Sequence, residues 1–371
     1  MRYLFILGIF LILTLIIPGC MKKNNVQDES RMMIGVKVYH IDRELDALFK
    51  EWEGLGINTI FASPSVFEDE FSSLAKKHHI TTFIILPVFY DPTALEADPG
   101  LYAITDKGEK AIEEWVEFVC PSRRDYRIQK VEYINKLIRE LEPDGISLDF
   151  IRYFCFWEKV YPDRPPDLIP NTCFCPYCLE KFQSEKQINI PDSLEDSGAV
   201  AKWIQANHSN DWIQWKCGII TSMVENIVNE AKKTKPEIKV NLHVVPWRKD
   251  DFNNAIRRIV AQDFAVLANY ADIISPMTYA HMVKRKPAWI HSVVNDIHEQ
   301  ADCKVIPSIQ VNQAYLKDTL TEKEFELNVL EALKPPSSGV FFWSWDQLES
   351  RPEKKEVLKR VLDSVYFLPN I

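Results

Sequence analysis

The residues able to do chemistry gather where short apolar runs stop. Segment 144–153 reads Asp-Gly-Ile-Ser-Leu-Asp-Phe-Ile-Arg-Tyr. It stays largely apolar up to Asp149, then delivers a carboxylate, a guanidinium (Arg152) and a phenol (Tyr153). A strand of this kind suits the rim of a parallel barrel, whose interior is filled by apolar side chains while reactive groups collect at the carboxyl ends. The competing reading is that Asp149 and Arg152 simply pair to tie down a loop. Other runs end similarly. His243, Trp247, Arg248, Asp250 and Asp251 follow one; Ser-Pro-Met-Thr-Tyr-Ala-His over 275–281 supplies Tyr279 and His281; Gln310 ends another; Trp343, Trp345 and Asp346 end the last.

Carboxylates mixed with Trp, Tyr, Gln and His are what a polyhydroxylated ligand requires. Sugar rings lay apolar faces on aromatic rings, and their hydroxyls take polar partners. Each aromatic taken singly reads as barrel packing, so the signal lies in the joint placement. Cleaving a glycosidic bond needs two carboxyl groups, one donating a proton and one acting as nucleophile or base. Asp149 is the primary candidate. Glu158, Asp251 and Asp346 each follow a strand end, and Glu158, close to Asp149 in the chain, is the favoured proton donor. Arg152, Tyr153, His243, Trp247, Tyr279, His281, Gln310, Trp343, Trp345 and Asp346 are the candidate substrate contacts.

Positioning such residues takes alternating strands and helices. Strand patterns fall at 34–39, 59–63, 82–88, 145–150, 240–245, 273–277, 305–310 and 340–343. Eight parallel strands close a (β/α)₈ TIM barrel. Helical stripes separate them: Val131, Ile134, Ile138 and Leu141; Ile220, Met223, Val224, Ile227 and Val228; Ile290, Val293, Val294 and Ile297. Thr321 and Glu324 have capping-box spacing, and 353–365 reads as a closing helix. Two connections, 89–124 and about 154–210, exceed a turn plus helix and would overhang the active face; the second carries the cysteine cluster.

The 371-residue chain, net charge −9, shows no basic block, which argues against a nucleic-acid partner. Residues 1–19 read as a secretory signal: Arg2, an apolar run, then Pro18-Gly19. Ile17-Pro18-Gly19-Cys20 resembles the lipobox of bacterial lipoproteins, which implies acylation of Cys20, a tether over 20–31 and an extracytoplasmic domain over 32–371 held to the membrane through its lipid alone. An ordinary signal peptide with a chance cysteine is the alternative.

The fourth-strand segment, Ser275-Pro276-Met277-Thr278-Tyr279 and Phe341-Phe342-Trp343-Ser344-Trp345-Asp346 resemble the glycoside-hydrolase-like, "family 10-like" TIM barrels of bacterial lipoproteins. The resemblance spans roughly 33–346 and implies a carbohydrate substrate without naming the sugar. A more distant likeness is to glycoside hydrolase family 18, which matches at Asp144, Gly145, Asp149, Met277 and Tyr279. There, Ser147 replaces the middle aspartate, Ile151 the catalytic glutamate and Ala280 the aspartate after the tyrosine, which disfavours substrate-assisted chemistry. A carbohydrate-binding protein without catalysis on the same scaffold is the second reading. A metal-dependent hydrolase is disfavoured, since no paired His spacing is present.

Cys173-Phe174-Cys175-Pro176-Tyr177-Cys178 is a dense thiol cluster. Three thiolates at this spacing can share a tetrahedral ion, and Cys155 upstream would complete a structural zinc site. Disulfides or buried thiols are the alternative in an oxidising compartment. The cluster resembles the zinc-bearing insertion of some family 42 β-galactosidases. Catalysis itself asks for no cofactor. Cys120, Cys217 and Cys303 read as small buried hydrophobes.

Overall fold

The computed structural model describes residues 31–366, so the signal segment, Cys20 and most of the tether lie outside the described residues. A parallel sheet carries the molecule. Its strands are Met33–Val38, Thr59–Ala62, Thr81–Pro87, Gly145–Asp149, Lys239–Val244 and Ile273–Pro276, then Lys304–Val305 and Ser308–Gln310, and finally Gly339–Trp343. All eight segments expected from sequence are strands, within a residue or two at each end except the seventh, which is split into two pieces. The break falls at Ile306-Pro307, because proline has no N–H to give to a ladder. These two pieces form the opposite edges of a nine-stranded curled sheet. Between and beside them, Ile306 N bonds Ile274 O at 3.0 Å, Phe341 N bonds Pro307 O at 3.0 Å, and Met277 bridges Ser308 in parallel. The architecture is an α/β fold of TIM-barrel type.

Alternation along the strands sorts side chains between two compartments. Ile34, Val36 and Val38 face outward and pack beneath the helices, in the main core. Phe61, Phe83, Ile85, Ile273, Ile306 and Phe341 form a separate cluster inside the curl. The rings of Phe61 and Phe341 lie 4.3 Å apart, and those of Phe61 and Phe83 lie 4.8 Å apart. Such crowding requires glycine opposite the rings. A Cβ on Gly35 would lie 2.5 Å from Phe341, and one on Gly145 would lie 2.3 Å from Phe83. Buried polar side chains share the interior. Asn241 Nδ2 donates to Ser147 Oγ at 2.9 Å, and Ser275 Oγ donates to Asn241 Oδ1 at 2.7 Å.

Helices Arg124–Leu141, Ser209–Thr234, Ala288–His298, Glu322–Ala332 and Pro352–Tyr366 lie outside the sheet and bury the stripes read from sequence. Thr321 Oγ1 caps its helix by accepting from Glu324 N at 3.2 Å, while the Glu324 carboxylate turns to His281 instead of closing the box. The two long connections are stitched together: Thr105 bridges Thr172, Phe174 N bonds Ile104 O at 2.9 Å, and Asp106 N bonds Asn171 O at 2.9 Å.

Gly145→Ala is expected to lower the unfolding free energy by about 1–3 kcal/mol through overpacking. Gly218→Ala, in an exposed helix position with nothing within 4 Å, is expected to raise it by up to about 1 kcal/mol. Denaturant midpoints of the two variants check both signs.

Candidate functional site

Asp149 is the last residue of its strand. Its backbone carbonyl accepts from Val88 N at 2.9 Å, and Phe150 immediately turns into the left-handed region at φ 50°. A non-glycine residue there is uncommon, and such turns concentrate at functional sites. The turn aims the Phe150 N–H back at Asp149, whose Oδ1 accepts it at 2.7 Å. Oδ2 stays free of that bond and faces Lys37 Nζ at 4.0 Å.

The carboxyl opens into a cavity of about 290 Å³. Lys37, Arg152 and Glu158 share its lining, and its walls are aromatic: Tyr39, Tyr90, Trp115, Trp157, Tyr279, Tyr315 and Trp343. Tyr279 and Trp343 stack at 4.9 Å. Trp115 Nε1 donates to Tyr315 OH at 2.8 Å, and both rings remain partly solvent-exposed at the mouth. Two larger surface grooves of about 800 Å³ run along the helix Arg124–Leu141, and neither contains this carboxyl set.

Glu158 sits on the short turn Trp157–Lys159 and is 8% exposed. Its Oε2 has no hydrogen-bond partner. Burial pushes its carboxyl up to about 7, with the Arg152 charge opposing and Asp149 adding to the rise. Arg152 does not pair with Asp149. Its Nη1 donates to the carbonyls of Tyr153 at 3.2 Å and Cys155 at 2.9 Å, and its guanidinium lies over Phe118. Among the described residues, the cation within 4.0 Å of Asp149 is Lys37. A simple Asp149–Arg152 tie is therefore not what the site contains.

Of the expected substrate contacts, Arg152, Tyr279 and Trp343 reach the cavity together with Asp149 and Glu158. The others do not line it. Tyr153 is fully buried toward the cysteines, with Lys216 Nζ 4.7 Å from its ring centroid. His243 lies inside the curl beside Phe61, and burial holds its basicity well below the ordinary value, with Lys37 adding to that. Trp247 packs on Phe252, and Trp345 on Trp52. His281 ties Glu324 to the Asp318 carbonyl. Gln310 is spent on Met282 N and Asn312 O, and Asp346 accepts from Ser344 Oγ on an exposed helix start. Asp251, weighed as a second carboxylate, pairs with Arg248 and Arg285. Strand-end position alone does not say on which side of the sheet a side chain emerges.

Sequence reading missed Lys37 on the first strand and Tyr39 just after it. It also missed Trp115, Trp157 and Tyr315, which reach the site from connecting segments. The parity of Lys37 within Met33–Val38, a charge amid five apolar or glycine neighbours, was an available signal.

The cysteine cluster needs a correction. Cys120, Cys173, Cys175 and Cys178 bring their sulfurs within 4.8 Å of one another, and all four are buried. Cys120 Sγ is 3.3 Å from Cys178 Sγ and 3.7 Å from Cys175 Sγ. Cys155 stands apart, near Arg152 and Glu158, with burial raising its thiol to about 12. The fourth sulfur is thus Cys120, delivered by the other long connection. A tetrahedron of sulfurs at about 2.3 Å from zinc has edges of about 3.8 Å, whereas a disulfide needs about 2.05 Å. The donor set fits the ion. Ile104 N donates to Cys173 Sγ at 3.3 Å, and hydrogen bonds from the neighbouring thiols hold the Cys175 thiol far below its ordinary value.

No protein-family model matches the chain, and no curated protein does. Solved structures share its fold. The PgaB (BpsB) glycoside hydrolase domain from Bordetella bronchiseptica superposes with a TM-score of 0.66 at 13% identity, covering 89% of this chain and 98% of that one. The β-galactosidase from the haloarchaeon Halorubrum lacusprofundi gives 0.66 at 11% identity, covering 91% of this chain and 59% of that one. The α-L-fucosidase isoenzyme 2 from Paenibacillus thiaminolyticus gives 0.56 at 11% identity, over 91% and 49%. The chain thus spans about half to three fifths of the β-galactosidase and fucosidase chains. At such identities the likeness defines the fold.

A raised carboxyl means the folded chain keeps a proton that the unfolded chain releases. Its stabilising effect is therefore full below the ordinary value of 4.5 and is lost as pH rises through about 7. Glu158→Gln is expected to remove this part of the dependence. Unfolding midpoints of both proteins across pH 4 to 8 check it.

Proposed function

We propose that the protein is a glycoside hydrolase acting on an oligo- or polysaccharide, with Asp149 as the primary carboxylate and Glu158 as the proton donor. One observation carries the reading: two carboxyl groups line a single aromatic-walled cavity, and one of them, Glu158, is held up to about 7 by burial. A general acid works best when its pKa lies near the working pH. Tyr279, Trp343, Trp115 and Tyr315 supply platforms for sugar rings, and Arg152 steadies the loop that presents Glu158. The glycoside hydrolases among the solved structures of this fold lend support. The scaffold reads as a closed eight-stranded barrel interrupted at Pro307, with its site at the carboxyl ends.

In this reading the domain works outside the cytoplasm, held by a lipid on Cys20. A zinc ion on Cys120, Cys173, Cys175 and Cys178 would tie the two overhanging connections together, a structural role with no part in the chemistry.

Asp149→Asn is expected to abolish release of reducing ends from a polysaccharide panel while glycan binding by calorimetry persists. Glu158→Gln should cost about 10²–10⁴-fold on natural linkages and far less on aryl glycosides whose leaving groups need no proton. Full activity of Asp149→Asn would remove the assignment, and binding without turnover in the unaltered protein would favour the binding-protein reading. Elemental analysis should find near one zinc per chain, lost in Cys120→Ser and kept in Cys155→Ser. Metal-free native protein would retire the zinc site.

A further inference from the structure

Lys37 is the cation that the strand pattern conceals. It sits in Met-Ile-Gly-Val-Lys-Val on the first strand, points into the curl and is 1% exposed. Its Nζ has three protons to place. One goes toward Tyr279 OH at 3.5 Å, a long contact, and Tyr279 OH in turn meets Ser308 Oγ at 3.4 Å. Nζ also faces Asp149 Oδ2 at 4.0 Å, and both residues line the cavity. A buried ammonium is strongly destabilising unless an opposite charge answers it, and Asp149 is that charge.

Among the described residues, the other elements around the pair contribute groups that form no ion pair with Asp149 within 4.0 Å. From just beyond the first strand comes Tyr39, a phenol pushed up by burial and then by Asp149. From the connection after the fourth strand come Glu158 and Arg152, whose Nη1 bonds two carbonyls and which makes no ion pair with Asp149 within 4.0 Å. The fifth strand brings His243, held neutral by burial and by Lys37 itself. The sixth-strand segment brings Tyr279, also pushed up by burial, and Asp346 lies beyond Tyr39. Lys37's own basicity is lowered by burial and restored in part by Asp149.

We propose that Lys37 is a positioning residue for Asp149: its ammonium holds the Asp149 carboxylate charged and turns Oδ2 into the cavity while the Phe150 N–H pins Oδ1. The two carboxyls are thereby given separate duties, with Asp149 facing the Lys37 ammonium and Glu158 held up by burial against the opposing charge of Arg152. The inference rests on the proposed pairing of Asp149 with Glu158, but its central claim concerns the charge state of Asp149 and can be read without turnover.

The test labels aspartate side-chain carboxyls with ¹³C and follows their titration by NMR, with Asp149→Asn identifying the Asp149 signal. In Lys37→Met and Lys37→Gln the Asp149 signal should titrate on the order of one pH unit or more higher than in the unaltered protein. Lys37→Arg, which keeps the charge, should restore most of the difference. Circular dichroism establishes which variants fold, and the arginine and glutamine variants carry the comparison if methionine does not. An unchanged Asp149 titration overturns the proposal even if the protein hydrolyses glycans. A shifted titration in a protein that cleaves nothing leaves Lys37 as positioning residue and removes the hydrolase reading instead. Where turnover is found, Lys37→Met should lower kcat at least tenfold with little change in KM, and arginine should recover part of it.

Discussion

A carboxyl group at the end of a buried strand must be answered by something, because a low-dielectric surrounding penalises unpaired charge far more than water does. The whole rim is arranged around that requirement. Asp149 meets it with a backbone N–H on one oxygen and a lysine facing the other. The N–H is available only because Phe150 adopts a left-handed turn, and the lysine only because the curl of the sheet brings the first strand, with two strands between, to face the fourth. Glu158 is answered differently: with no cation of its own in hydrogen-bonding reach, it holds its proton to about neutral pH. Two carboxyls in one cavity thus come to differ by environment, the pattern by which acid and base duties are separated elsewhere.

Packing sustains this arrangement from below and from the side. Inside the curl, Phe61, Phe83 and Phe341 fill the space that Gly35 and Gly145 leave open. The polar layer of Asn241, Ser147 and Ser275 satisfies itself, and Lys37 faces Asp149 and Tyr279, with neutral His243 also near. From the side, the connections after the third and fourth strands overhang the cavity and deliver Trp115, Trp157 and Glu158. They meet through backbone pairing at Thr105 and Thr172, and their four sulfurs cluster at the same junction. Lys216, buried beneath Tyr153, adds bonds to Asn171, Thr172 and the Ile259 carbonyl. Both the sulfur cluster and this lysine lie where the two connections meet, outside the lining of the Asp149 cavity.

What the sequence by itself determined was periodic and local. Apolar runs ending in polar residues located the eight strand segments, helical stripes located the ring, and the carboxyl-end rule put Asp149, Glu158, Tyr279 and Trp343 on the working face. Tertiary structure decided which of the rim residues look inward, because one residue of register turns a side chain to the other face. That is why Lys37 became the partner of Asp149, while Trp345, Trp247 and His281, beyond the strand ends, were placed by the paths of the segments that follow. It also decided which distant segments meet: Cys120 joins Cys173, Cys175 and Cys178 only because two long connections pair across the rim, a contact that spacing along the chain does not encode.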